Sequence, residues 1–342
     1  MILDKSNLEE VKAYEEFINN SPYASFSQDM AWAKVKDNWE SVYFYIKEDG
    51  LIKAALSVIY IRDGKIGKNF FYAPKGPVCD LKDVDLVKRL LEEAKDYAKE
   101  NDGFLLRVDP HVLYDEDLIK LYEENGIEIR YDETTSSQPL LNMALEIRGR
   151  SPEEILKDFS KNTRKHINRS YRDGIETKIE DKSKLYEFYD QLKIMSERQG
   201  INHRPFEYFE RMYDAFGDKL VYMLTSYKGE ALCSSLLLTS GDRCTSLYGA
   251  SNNKYRSMYQ NYQIIFEEIK YAAENGYAYY DMGGIFKVDE SDGLYKFKKQ
   301  FTEGNVEKLI GEIDLVIDQE LYEEYIKEKN PHYKREEENK ED

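Results

Sequence analysis

The chain has 342 residues, 41% of them hydrophobic, with 66 Asp/Glu against 49 Lys/Arg and a net charge of −17. That length exceeds the usual single domain, and the apolar content is enough for two packed cores. The acidity excludes a protein coated by nucleic acid, which needs a broadly basic face, and no apolar run reaches membrane-spanning length.

The start, MILDKSNLEEVKAYEE, is acidic and helical in pattern, unlike a signal peptide. VYFYIK and IKAALSVIYI read as strands, with EDG and RDG as hairpin turns. NFFYAPKGPV follows, then a helix whose apolar Leu86, Val87, Leu90, Leu91, Ala94 and Tyr97 share one face. FLLRVD is a strand that ends at Asp109 and is broken by Pro110. Ser151-Pro152-Glu153-Glu154 starts a helix with a hydroxyl cap, a proline at the first position and a glutamate three residues after the serine. Its stripe of Ile155, Leu156, Phe159, Ile167 and Tyr171 is expected to continue to Gly174.

Two helices are expected around 183–198 and 205–216, ended by Gly200 and Gly217. KLVYMLTSYKGEALCSSLLLTSGDRCTSLYGAS is three strands turning at Lys228-Gly229 and Gly241-Asp242. A helix with Tyr262, Ile265, Phe266, Ile269, Ala272 and Ala273 on one face stops at Gly276, and YAYYD is a strand ending at Asp281. Each half is thus a strand meander followed by strand–helix–strand, with an Asp closing the last strand. Hairpins feeding a single crossover imply a mixed sheet with helices packed on it. The expected fold class is α/β (α+β): two tandem acetyltransferase-like domains, 1–149 and 150–318, with the boundary near 148–151. Residues 319–342 are expected to be one helix and a disordered charged tail, YKREEENKED.

Two cationic segments stand out against the acidity. KNTRKHINRSYR (161–172) contains Lys161, Arg164, Lys165, Arg169 and Arg172 with no carboxylate; it is either a solvated helix face or a local phosphate-binding one. After YYDMGGI (279–285), GLYKFKKQF (293–301) interleaves lysines with aromatics, a pattern that suits a site meeting an anion. An acetyl-CoA pocket needs a glycine-rich turn before the crossover helix, so that backbone N–H groups reach the pyrophosphate. The second half has SNNKYRSMYQNY there, without glycine, and the first half has KGPVCDLKDVD, with one. Coenzyme A is therefore disfavoured. Cys79, Cys233 and Cys244 make no CxxC pair and point to free thiols in a reducing cytoplasm. The four histidines show no metal-ligand spacing, so neither metal nor cofactor is expected.

SFSQDMAWAKVK (25–36), FYAPKGPV (71–78), LRVDP (106–110), FSKNTRKHINRSYRDG (159–174), LYGASNNKYR (247–256), YYDMGGI and GLYKFKKQF lie in the order and spacing of one family. Across roughly residues 20–318 the chain resembles the Fem family, the non-ribosomal aminoacyltransferases of peptidoglycan cross-bridge synthesis. The resemblance implies two acetyltransferase-like domains. It implies transfer of Gly, Ala or Ser from aminoacyl-tRNA to a stem-peptide amine of a uridine-linked (UDP-linked) or lipid-linked muropeptide, the latter at the membrane face. Many members carry a long helical arm; residues 175–203 between Gly174 and Arg204 are too few for it, so the chain resembles the compact type.

The resemblance also implies site residues. Lys298 stabilises the oxyanion of the transfer, or is a surface lysine; Phe297 shapes that site, or is a core phenylalanine. Asp109 orients the attacking ammonium or takes its proton, or caps the Asp-Pro loop. Asp281 is expected to bond the Gly283-Gly284 turn. Lys36 and Arg204 are matched to the pyrophosphate of the acceptor, or are a surface lysine and a helix-start ion pair, with Tyr208 and Tyr248 as hydrogen-bonding walls. The basic segment 161–172 suits the tRNA acceptor stem. Lys75 stands where arginine is common in the family. Competing interpretations are an acetyl-CoA-type N-acyltransferase and a non-catalytic precursor- or tRNA-binding protein.

Overall fold

A computed structural model describes residues 1–329; the charged tail expected at the end lies outside the described residues. In chain order the first elements are α1 (Leu8–Asn20), α2 (Met30–Val35), β1 (Glu40–Glu48), β2 (Leu51–Arg62), β3 (Asn69–Lys75), α3 (Val84–Glu100), β4 (Gly103–Pro110) and α4 (Glu116–Glu124). Next come β5 (Leu141–Glu146), α5 (Pro152–Asp158), α6 (Lys161–Arg172), β6 (Glu176–Glu180), α7 (Leu185–Gln199), α8 (Phe206–Phe216), β7 (Leu220–Tyr227) and β8 (Glu230–Ser240). The chain continues through β9 (Arg243–Ser251), α9 (Gln260–Glu274), β10 (Tyr279–Ile285), α10 (Gly293–Lys299), β11 (Glu307–Lys308), β12 (Ile313–Val316) and α11 (Gln319–Lys329).

The chain divides into two units, residues 1–140 with the segment from 308 onward, and residues 141–307. The first holds a five-stranded sheet in the order β1-β2-β3-β4-β12, the second a seven-stranded sheet in the order β11-β5-β10-β9-β8-β7-β6. In the first unit β1, β2 and β3 pair antiparallel, α3 crosses over, and β4 returns parallel to β3. Alternation along β1 sends Val42, Phe44 and Ile46 to the α3 side and Tyr43 and Tyr45 to the α1 side. Both faces are therefore apolar and covered. The second unit repeats the plan: β7, β8 and β9 pair antiparallel, α9 crosses over, and β10 returns parallel to β9. Ile264, Ile265, Phe266, Ile269 and Ala272 of α9 are buried against it. Each large apolar side chain so buried contributes about 1.5–3 kcal/mol.

Three features differ from the sequence-based expectation. The unit boundaries fall at 140 and 307 rather than near 148–151 and at 318, because β5 pairs with β10 and β12 with β4. The return of β12 is fastened by Arg107, fully buried, whose guanidinium donates to both oxygens of Asp314 at 2.7 Å. The single helix expected from 151 to 174 is two. The capping box at Ser151 forms as expected, but Phe159 leaves the helix at ψ 153° and Ser160 caps α6 afresh, accepting from Thr163 N. Tyr171, expected on the apolar stripe, is 40% exposed.

Candidate active site

The parallel strands of the two units end differently. In the first, β3 and β4 stay paired from Asn69↔Gly103 to Lys75↔Pro110. In the second, β9 and β10 pair only at Tyr279↔Arg243, Tyr280↔Cys244 and Asp281↔Thr245. Beyond that point β10 turns through an irregularity to meet β5 at Gly284↔Asn142, while β9 stays with β8 at Leu236↔Tyr248 and Ser235↔Gly249. The two strands part, and backbone edges normally used in a ladder are left facing a gap.

Lys298 is buried at this parting. Its ammonium donates to the carbonyls of Gly283 at 3.1 Å and Gly284 at 2.9 Å. The residue is 8% exposed, and burial pushes its pKa down to about 8, with Asp281 acting in the opposite direction. An ammonium has three donors, so one N–H remains beyond these two carbonyls. Asp281 holds the turn, as expected: its Oδ1 accepts from Gly283 N at 2.7 Å and from Asn142 Nδ2, and its Oδ2 accepts from Arg243 at 3.1 Å. Gly283 has φ +77°, a conformation at ease only in glycine. Arg243, itself half-buried, also reaches Glu307, which completes a network of charges with Asp281. Neither Arg243, Asn142 nor Glu307 was marked by the sequence; the arginine two residues after Gly241 was the available signal. Phe297, partly buried, packs its ring on Tyr262 and Phe301 at 5.9 and 5.3 Å, so it lies on the core side of α10.

Arg204, Tyr208 and Tyr248 are brought together elsewhere in the second unit. The Arg204 guanidinium lies 5.6 Å over the Tyr208 ring, and Tyr208 meets Tyr248 edge-on at 6.3 Å. Burial pushes both phenols up in pKa, so both stay neutral donors. Arg204 and Tyr248 border a cleft of about 610 Å³ whose floor includes Leu192, Phe209 and Leu247 and whose rim carries Asn202 and His203. Tyr248 belongs to the stretch of β9 that has parted from β10.

Lys36 and Asp109 belong to the first unit. Lys36 caps α2, its ammonium 4.9 Å over the Trp32 ring. Asp109 is 2% exposed, and Lys75 takes both its oxygens, Oδ1 through the backbone N–H at 2.8 Å and Oδ2 through the ammonium at 2.9 Å. Lys75 makes this contact from φ +58°.

The basic helix α6 is less free than its composition suggests. Arg164 donates to the carbonyls of Lys157 and Phe159, capping α5, and Arg169 pairs with Asp173 at 3.0 Å. Arg172 is exposed and lies 3.8 Å from Asp173, while Lys161 and Lys165 are exposed to solvent. Among the described residues no three His, Cys, Asp or Glu side chains gather to hold a metal ion, and no helix is long and apolar enough to cross a membrane. The three cysteines are buried free thiols.

Comparison with known proteins agrees with this architecture. The FemAB family model matches residues 10–230 and 224–327. The chain is 36% identical to a UDP-N-acetylmuramoylpentapeptide-lysine N(6)-alanyltransferase of Weissella viridescens, covering 96% of this chain and 99% of that protein. It is 26% identical to a lipid II:glycine glycyltransferase of Staphylococcus haemolyticus over 94% of each. Both relatives are aminoacyltransferases acting on peptidoglycan precursors. Among solved structures, FemX superposes with a TM-score of 0.85 at 22% identity, covering 95% of this chain and all of that one. A tandem GNAT protein from the clavulanic acid pathway superposes at 0.53 with 8% identity, covering 92% of this chain and 97% of that one, a likeness of fold alone. The tandem acetyltransferase-like fold expected from the repeat is thus the fold found.

Proposed function

This chain belongs to the FemAB family, and on that footing we propose that it moves one amino acid from an aminoacyl-tRNA to the stem-peptide amine of a peptidoglycan precursor. The observation that carries this reading is the buried ammonium of Lys298 at the parting of β9 and β10, with two of its N–H groups on glycine carbonyls and one left over. The neutral amine attacks the ester carbonyl carbon, the carbonyl oxygen becomes an oxyanion, and collapse expels the ribose hydroxyl as the amine loses its proton. Lys298 stabilises the oxyanion with its remaining N–H. By comparison with the loss of one oxyanion-hole donor, that is worth about 3 kcal/mol. Phe297 fixes α10 against the core and so sets where that ammonium stands.

Arg204 binds a phosphate of the acceptor, and Tyr208 and Tyr248 line its path; Lys36 is a separate phosphate contact offered by the first unit. Asp109, gripped through both oxygens by Lys75, is the first unit's own candidate for orienting an amine or taking its proton. The basic face of α6, with Lys161 and Lys165 foremost and Arg164, Arg169 and Arg172 as charge background, meets the acceptor stem of the tRNA. A uridine-linked acceptor and alanine as donor are the finer reading, supported by the 36% identity to the alanyltransferase over nearly its whole length. The turn before α9 supports an RNA donor over coenzyme A: residues 252–259 contain no glycine to let a pyrophosphate approach the backbone. The test is incubation with alanyl-, glycyl- and seryl-tRNA and both precursor forms, followed by mass analysis of the stem peptide. A single alanyl addition to the uridine-linked form is expected; addition only to the lipid-linked form overturns the acceptor assignment.

A further inference from the structure

The turn between β9 and α9 has a feature that the acceptor site and Lys298 leave unused. Three of its non-glycine residues are left-handed: Asn253 at φ +61°, Tyr255 at +53° and Tyr259 at +62°. For a bulky residue such as tyrosine this conformation is a genuine outlier, and strain of this kind concentrates where a side chain must be presented. The turn is also held rigid. Asn252 Nδ2 donates to Ala231 O at 2.7 Å, Lys254 N to Asn252 Oδ1 at 2.9 Å, and buried Gln260 donates to Lys254 O at 2.6 Å. What it presents is Tyr255, 46% exposed and braced edge-on by Tyr227 at 5.3 Å, with exposed Arg256 beside it.

The far end of the same turn, Tyr259, touches the basic helix and, through one further ring, α10. His166 of α6 stacks on Tyr259 at 4.0 Å and 11°, and Arg169 lies 5.3 Å over the same ring. Tyr262 stands 5.7 Å from Tyr259 and 5.9 Å from Phe297, the neighbour of Lys298. An exposed aromatic face with a neighbouring arginine, on a protein of net charge −17, matches a flexible polyanion that carries flat rings. The turn, with Lys254 and Arg256 alone, is too narrow for a duplex, which falls to α6.

We propose that the turn 252–259 is a stacking platform for the unpaired 3′ end of the donor RNA, with Tyr255 taking a base and Arg256 a phosphate. This rests on the reading that the donor is an RNA ester. Tyr259, which ends the turn, is one aromatic ring (Tyr262) removed from Phe297 of α10, so a strand that follows the turn from Tyr255 to Tyr259 runs toward the helix that carries Lys298.

The test compares binding of a hairpin RNA with an unpaired 3′ overhang and the same hairpin made blunt, alongside turnover from charged RNA. Wild type is expected to prefer the overhang. Tyr255→Gly is expected to lose that preference, weakening overhang binding on the order of tenfold. Its melting temperature should be unchanged or raised, because glycine accepts the left-handed conformation. Arg256→Ala is expected to reduce the slope of log affinity against log salt by about 0.7. If wild type transfers from charged RNA yet shows no overhang preference, or if Tyr255→Gly keeps it, the platform is overturned and the donor reading stands. If wild type transfers from no charged RNA, the donor reading falls and the platform with it.

Discussion

Replacing Lys298 by methionine should make the protein more resistant to unfolding at neutral pH while removing its activity, and the two effects share one cause. The side chain is 8% exposed, and burial lowers its pKa from 10.5 to about 8. A lysine whose pKa is lower in the folded state opposes folding fully below that value, and the opposition vanishes as pH rises toward 10.5. With 1.36 kcal/mol per pK unit, the penalty is roughly 3 kcal/mol at pH 7 and roughly 1 kcal/mol at pH 9.5. Methionine has no such penalty, but it leaves the Gly283 and Gly284 carbonyls unpaired, which costs about 1–3 kcal/mol at any pH. The net gain at pH 7 is therefore smaller than the full penalty. Its change with pH is the sharper quantity: wild type should gain about 2 kcal/mol on the variant between pH 7 and 9.5. Urea unfolding of both proteins at the two pH values reads this directly. A stability difference that stays constant across that range would refute the claim that a charged lysine is buried at the parted strands.

Glu268 is fully buried, accepts from Tyr280 Oη at 2.6 Å, and has its pKa raised, chiefly by burial. A raised carboxyl supports folding below its unfolded value and loses that support as pH rises through the folded one. Glu268→Gln should accordingly outlast wild type in urea at pH 8 more than at pH 5; equal gaps at both would contradict the assignment. Lys75→Met removes the ammonium from Asp109 and should lower stability by about 2 kcal/mol, less than for a fully buried pair because the Lys75 side chain is 21% exposed. Lys75→Arg should restore most of it, as denaturation midpoints will report. Arg204→Ala should raise KM for the acceptor about tenfold with kcat unchanged, the signature of lost ground-state binding; an effect confined to kcat would count against a binding role.

The repeat of hairpins and crossover helices was legible because it is written in local periodicity, from Leu86–Tyr97 in α3 to Tyr262–Ala273 in α9. The role of Asp281 was legible for the same reason, since an Asp two residues before Gly283 is a local turn signal. Features set by distant pairing were not. β12 is four residues long and carries no pattern of its own; its place is decided by Arg107 and Asp314, over two hundred positions apart. The break at Phe159–Ser160 was hidden by an apolar stripe that runs through it, although Ser160 is an ordinary capping residue. The resemblance of GLYKFKKQF to the family's segment pointed to Lys298, with its aromatic flanks in support, but what surrounds its ammonium depends on β9 and β10 parting after Thr245 and Asp281, a register no single segment encodes. Lys75 and Asp109 were noticed separately; only the parallel pairing of β3 and β4 brings them into contact. The left-handed tyrosines had no residue signature, because tyrosine is not a turn residue.

The most direct measurement is a single-turnover reaction of the purified protein with radiolabelled alanyl-tRNA and saturating uridine-linked precursor, run beside Lys298→Met. The account predicts label on the stem peptide in the wild type, a rate lower by about two to three orders of magnitude in the variant, and acceptor affinity within a few-fold of normal. Equal rates in the two proteins would contradict it.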